Sequence, residues 1–176
     1  MKKNAKITVS AITAALSVAF MLTSYFPYLT YTIPAVAGLF MIVPLILIDA
    51  KWAFASYISS ALIIVFVAEP EAILLYVLFM GYYPILKALI ERLKNAILEW
   101  PVKLTIFNVA IVAFYNIAVL VMGIPFGDFG DLGKYGVYIF WILSNVVFVL
   151  YDIAISNMTV LYIYKVHPKI KKLFKM

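Results

Sequence analysis

Long apolar runs separated by short polar, glycine-containing or proline-containing stretches fill most of the chain, and the first, from Ile7 to Phe26, reads ITVSAITAALSVAFMLTSYF. A bilayer core about 30 Å thick is crossed by roughly 20 apolar residues in a helix. On that scale six spans are predicted, near 7–26, 32–48, 52–68, 72–93, 102–123 and 137–164. The expected fold is an all-α integral membrane protein, a single membrane domain built as a compact bundle of six transmembrane helices. Pro34 and Pro44 predict a kinked or irregular second span, and the third is short, so a count of five stays open.

Composition agrees with this pattern. The 176 residues are 66% hydrophobic and 12% charged, with a mean hydropathy of +1.07, far outside the range of a water-soluble domain. The first span follows MKKNAK directly and shows no small-residue cleavage site, so it is read as retained. Cysteine is absent, which removes disulfides, thiolate metal sites and thiol catalysis, and the single histidine, His167, sits in a basic tail. Neither a histidine metal site nor a catalytic triad is expected.

Charge gives orientation. With six spans, 13 of the 14 basic residues fall at the N-terminus, the 49–51 turn, the 87–103 region and the tail KVHPKIKKLFKM, and only Lys134 falls on the other side. Lysine and arginine gather on the cytoplasmic side of membrane proteins, so both termini are predicted cytoplasmic. A basic rim beside anionic lipid accounts for the net charge of +6 without nucleic acid. The opposite side carries Glu69, Glu71, Asp128 and Asp131, a negative surface that disfavours a strongly anionic solute. Gly127, Gly130, Gly133 and Gly136 recur there every three residues; the run is too short for collagen, and a plain connector and a movable cover both fit it.

In the first span Ala11, Ala15 and Ala19 fall four residues apart on one helical stripe, while Ser10, Ala14 and Ser17 form a second small strip on the opposite side. Small residues at this spacing let another helix approach closely. One strip can serve the bundle and leave the other for a separate protein. Here the chain resembles the substrate-binding S components of energy-coupling factor (ECF) vitamin transporters, in size, six-span topology, cytoplasmic termini and the Ala11-x-x-x-Ala15 motif extended to Ala19. The resemblance implies a bacterial cytoplasmic membrane protein. It also implies that Ala11, Ala15 and Ala19 contact a transmembrane T component, which joins the chain to two ATPases.

Polar residues inside spans are costly and attract functional hypotheses. On the sixth span Tyr138, Trp141, Asn145, Phe148, Asp152, Ser156 and Thr159 form one stripe, expected to face the interior. Counting depth along helices five and six predicts an outer layer of Tyr115, Asn116, Tyr138, Trp141 and Asn145, and an inner layer of Asn108 and Asp152. The outer layer combines flat aromatic surfaces with amides, as a site for a small ring-containing solute does; interhelical hydrogen bonds with an aromatic belt fit it equally. Lys87 reaches the depth of Asp152, so an ion pair is expected. The alternative is that Lys87 snorkels to the surface and leaves Asp152 protonated or bonded to Asn108.

These readings lead to a non-catalytic subunit that captures a vitamin or related small molecule in the outer half of the bundle and delivers it through an ECF complex. The chain has no GxxxxGK[ST] loop and is expected to bind no catalytic cofactor, so ATP is used by the partner subunits. The alternative is a small scaffold of the bacterial envelope, similar to MreD-type shape proteins, which needs no ligand. An intramembrane enzyme ranks below both, because Asp152 has no matched nucleophile or second acid.

Overall fold

A computed structural model describes residues 1–26, 28–120, 123 and 135–166, and no strand occurs among them. The helices are α1 (Lys3–Met21), α2 (Thr32–Leu39), α3 (Ile42–Leu47), α4 (Ala50–Val67), α5 (Pro70–Leu75), α6 (Tyr83–Ile90), α7 (Ala96–Leu120) and α8 (Gly136–Leu161). A single π-helical turn, Tyr76–Met80, joins α5 towards α6, and a second, Tyr162–Val166, follows α8. Five segments are long and apolar enough to cross a membrane: Lys3–Tyr25, Ala50–Val67, Pro70–Leu93, Ile97–Leu120 and Gly136–Lys165. The chain is therefore a helical protein of multi-pass membrane character.

The predicted second span, 32–48, does not reach that length. It divides into α2 and α3 at Phe40–Met41. Met41 bonds back three residues to Gly38, and the carbonyl of Ala37, left without its helical partner, accepts from Ser17 Oγ at 3.0 Å. At one end of the bundle Ser24 Oγ accepts from Glu69 N–H and Tyr31 bonds to Glu71; this is the acidic end. At the basic end Asp49 caps α4 by accepting from Trp52 N–H at 3.0 Å, and Val9, Leu47 and Lys165 line one groove.

Helix α1 packs on α4 through small side chains. Ser10, Thr13, Ala14 and Ser17 are its buried positions, and those of α4, its main neighbour, are Ala53, Ser56, Ser60 and Ile64. Outward faces carry large apolar side chains such as Phe66, Ile97 and Leu120, exposed by 86%, 82% and 79%, an exposure that suits lipid and not water.

The third long span contains the main irregularity. In the π turn Gly81 N–H bonds to the Tyr76 carbonyl, five residues back, and Pro84 has no N–H for the Met80 carbonyl. The affected carbonyls are met by tyrosines: Tyr57 donates to Val77 at 2.6 Å, Tyr82 to Leu78 at 2.7 Å, and Tyr151 to Met80 at 3.2 Å. This is how non-helical backbone persists where no water is available. Helix α2 approaches the same turn so closely that a Cβ on Gly38 would stand 2.1 Å from the Met80 oxygen.

Gly38→Ala must push α2 off the π turn, a backbone contact that no rotamer relieves. We expect a loss of about 1–3 kcal/mol, the usual range for overpacking, measured as a lower Tm of the detergent-solubilised chain. An unchanged Tm would show that the two backbones do not meet.

Candidate functional site

The outward strip of α1 is the one of alanines. Ala11, Ala15 and Ala19 are exposed, whereas the Ser10, Ala14 and Ser17 strip is buried in the bundle. Beside the alanines runs an apolar groove of about 790 Å³, lined by Ile12 and Leu16 of α1, Phe40 and Val43 of the broken segment, and Met158 and Leu161 of α8.

Helices α7 and α8 pair in a register different from the one expected. Asn108 donates to Asn145 Oδ1 at 3.1 Å and accepts from the Trp141 indole, and Asn145 also donates to the Trp141 carbonyl at 3.0 Å. Asn116, expected at the depth of Asn145, lies about two turns further along, exposed and bonded to the Val112 carbonyl of its own helix at 2.8 Å. The displacement has a local cause. The expected span begins near 102, but α7 begins at Ala96, where Asn95 Oδ1 caps Ile97 N–H and Glu99 reaches back to Asn95 N–H.

The polar part of α8 consequently sits on a flank. Tyr138 and Trp141 are 63% and 44% exposed, and with Asn108 and Asn145 they line an open groove of about 510 Å³. Tyr115 borders a smaller space of about 150 Å³ with Val137 and Trp141. The inward face of α8 is instead Phe148, Tyr151, Asp152 and Ile155; Ser156 and Thr159 are half-buried.

That inward face borders a half-open cavity of about 270 Å³ between the start of α2, the end of α5, the π turn, α7 and α8, with the exposed Leu143 and Val147 at its rim. Its base is aromatic: Phe107 and Phe148 stack at 4.6 Å with their planes 11° apart, and Phe79 stands edge-on to both at 5.2 and 5.6 Å. Phe79 and Met80 reach it because the π turn rotates them off the regular helical face. Three hydroxyl-bearing residues line it, Tyr31 towards the acidic end, Ser144, and Tyr151. Burial, with the Glu71 carboxylate 2.6 Å away, pushes the Tyr31 phenol up to about 12, so it keeps its proton at neutral pH and donates to Glu71.

Towards the basic end of the cavity lies a closed ring of alternating charge. Lys87 contacts Asp152 at 2.7 Å and Glu91 at 2.7 Å, and Lys103 contacts Glu91 at 2.8 Å and Asp152 at 3.3 Å. Tyr83 adds a hydrogen bond to Asp152 at 2.6 Å. The Lys103 ammonium also stands 5.4 Å from the Trp100 ring centre. Lys87, Lys103 and Asp152 are almost wholly buried, while the Glu91 side chain remains 41% exposed. Two cations and two carboxylates cancel, which reduces the cost of placing them in the apolar bundle. Asp152 thus pairs with Lys87, and Asn108 belongs to a different cluster.

Sequence reasoning missed Tyr83, Glu91 and Lys103, although Tyr83, Lys87 and Glu91 recur at four-residue spacing, a face-sharing signal. It also missed the cavity aromatics, whose direction depends on the π turn. Among the described residues no group of three or more His, Asp or Glu side chains converges as a metal site would. The glycine-rich segment with Gly127, Gly130, Gly133, Asp128, Asp131 and Lys134, and the tail from His167, lie outside the described residues. No known protein family, no curated protein and no solved structure matches the chain.

Removing one member of the charge ring strands the others. Asp152→Asn is expected to cost about 3–5 kcal/mol, as breaking buried ion pairs does, while Asp152→Asn combined with Lys87→Met should recover part of it by removing one unpaired cation. Thermal unfolding of the three chains checks this; a double variant less stable than the single one would break the account.

Proposed function

We propose that the protein is the substrate-binding subunit of an ECF-type, ATP-driven importer in a bacterial cytoplasmic membrane. It takes a vitamin or related small molecule from outside and passes it on through a T component and two ATPases. The observation that carries this reading is the aromatic cavity beneath the acidic end, shaped by an irregular turn and closed towards the basic end by packed rings and the charge ring. Concave apolar sites with a few placed polar groups are the usual form of small-molecule sites.

Two further features support it. The broken α2–α3 segment makes a sixth crossing, and the basic end, taken as cytoplasmic, then holds both termini, in line with the clustering of lysine and arginine. The exposed Ala11, Ala15 and Ala19 stripe, next to the long apolar groove, is where the T component docks. The chain in this reading holds and presents a solute, and the energy comes from its partners.

Mass spectrometry of small molecules released from the purified chain tests the cavity. A defined solute is expected from the natural sequence and a strong loss of it from Ser144→Phe, which places a ring in the cavity. Equal recovery from both would move the site elsewhere, and no solute from either favours an MreD-like scaffold. Separately, Ala15→Trp is expected to abolish co-purification with a T component while leaving solute recovery intact; normal co-purification would remove the docking face.

A further inference from the structure

The hydroxyls that line the cavity share a property that determines what they can bind. A hydroxyl has one hydrogen to donate and two lone pairs to accept with. Tyr31 donates its hydrogen to Glu71 Oε2 at 2.6 Å, Ser144 to the Phe140 carbonyl at 2.8 Å, and Tyr151 to the Met80 carbonyl at 3.2 Å, with Ala35 O also within reach at 3.3 Å. The Met80 carbonyl has no helical N–H because of Pro84, Glu71 carries a charge, and the Ser144 bond is the i, i−4 back-bond of a helical serine. What these groups can offer a guest is therefore oxygen lone pairs. Among the described residues that line the cavity there is no lysine, arginine, asparagine or glutamine, so none of these side chains supplies a positive charge or a donor amide.

Resting on the reading of this cavity as the solute site, we infer that its ligand is a flat ring compound that carries its own hydrogen-bond donors, preferably with a cationic nitrogen, and that has no carboxylate or phosphate. The ring body fits against Phe79, Phe107 and Phe148. Its donors turn towards the oxygens of Tyr31 and Ser144. A cationic end is further favoured at the Tyr31 side, where the Glu71 carboxylate and the tyrosine ring face both attract positive charge. An anionic group would meet only lone pairs and ring faces, and would leave water for no compensating donor.

Three bicyclic probes of similar bulk separate the terms: tryptamine, cationic with an N–H; 1-methylindole, neutral without a donor; and indole-3-acetate, anionic. Binding is measured by equilibrium dialysis on the full chain in detergent, after exhaustive washing, for the natural sequence, Glu71→Gln, Ser144→Ala and Ser144→Phe. Tryptamine is expected to bind at least tenfold tighter than the other two. Glu71→Gln should erase most of that preference without weakening 1-methylindole, and Ser144→Phe should abolish all binding. Indole-3-acetate binding as tightly as tryptamine, a preference unchanged by Glu71→Gln, or no binding by any probe would each overturn the inference. Recovery of an anionic natural solute that Ser144→Phe eliminates would overturn it while leaving the transport reading standing. Failure of that reading shows differently, as the absence of any cavity-dependent natural solute.

Discussion

The hydroxyl of Tyr151 stands where three parts of the chain cross, and much of the molecule is arranged around it. Pro84 removes the N–H that would serve the Met80 carbonyl, and Tyr151 supplies the replacement from α8. Gly38 lets α2 come against the same carbonyl, and the Tyr151 oxygen lies within reach of Ala35 on α2 as well. In water a stray carbonyl would simply be hydrated. In lipid it must be met by the protein, so the break in the third span, the glycine of α2 and the tyrosine of α8 are one requirement distributed over distant parts of the sequence. The cavity follows from this arrangement, because the turn that frees the carbonyls also directs Phe79 and Met80 into it.

The charge ring answers the same constraint in another form. Four formal charges near the basic end are held by α6, the 3-10 turn Glu91–Leu93, α7 and α8, in alternating sign and with Tyr83 on the most buried carboxylate. Such a ring contributes little net stability over an apolar core of the same shape, but it strongly penalises any arrangement that separates its members. It therefore fixes the register of α7 against α8 more sharply than leucine and valine contacts alone would. The ring stack Phe79–Tyr83, with centroids 4.5 Å apart, connects it to the base of the cavity. A guest that displaced Phe79 would press on the residue that holds Asp152.

How much of this was legible in the sequence depended on whether the signal was local. The two small-residue strips of α1 follow from regular periodicity, and the sequence places them on opposite sides as the structure does. Lys87 and Asp152 were matched by counting depth, because both lie in segments whose ends were nearly right. The match between α7 and α8 failed because depth was counted from a span start at 102, while the true start at Ala96 depends on the reciprocal cap of Asn95 and Glu99. The six-span count met a segment whose two short helices, broken at Phe40–Met41, fall below the length of an ordinary span. The cavity was not legible at all. Nothing in YVLFMGYYP distinguishes a π turn from a helix followed by a proline, and a shift of one residue in that turn decides which rings face inward.

Function separates the two aromatic and polar clusters in a way composition alone does not. The flank cluster of Asn108, Trp141 and Asn145 satisfies itself with mutual hydrogen bonds and lies on an open, lipid-like face, so its polarity is explained by the joining of α7 to α8. The interior cavity is less polar, yet it has shape, aromatic faces and unused acceptor capacity aimed at its volume. Specificity in an apolar pocket comes less from how many polar groups it holds than from which halves of their hydrogen bonds remain open. In the proposed reading that measure makes the cavity select for donors and the acidic end beside it for positive charge, two biases that point to the same chemical class of solute.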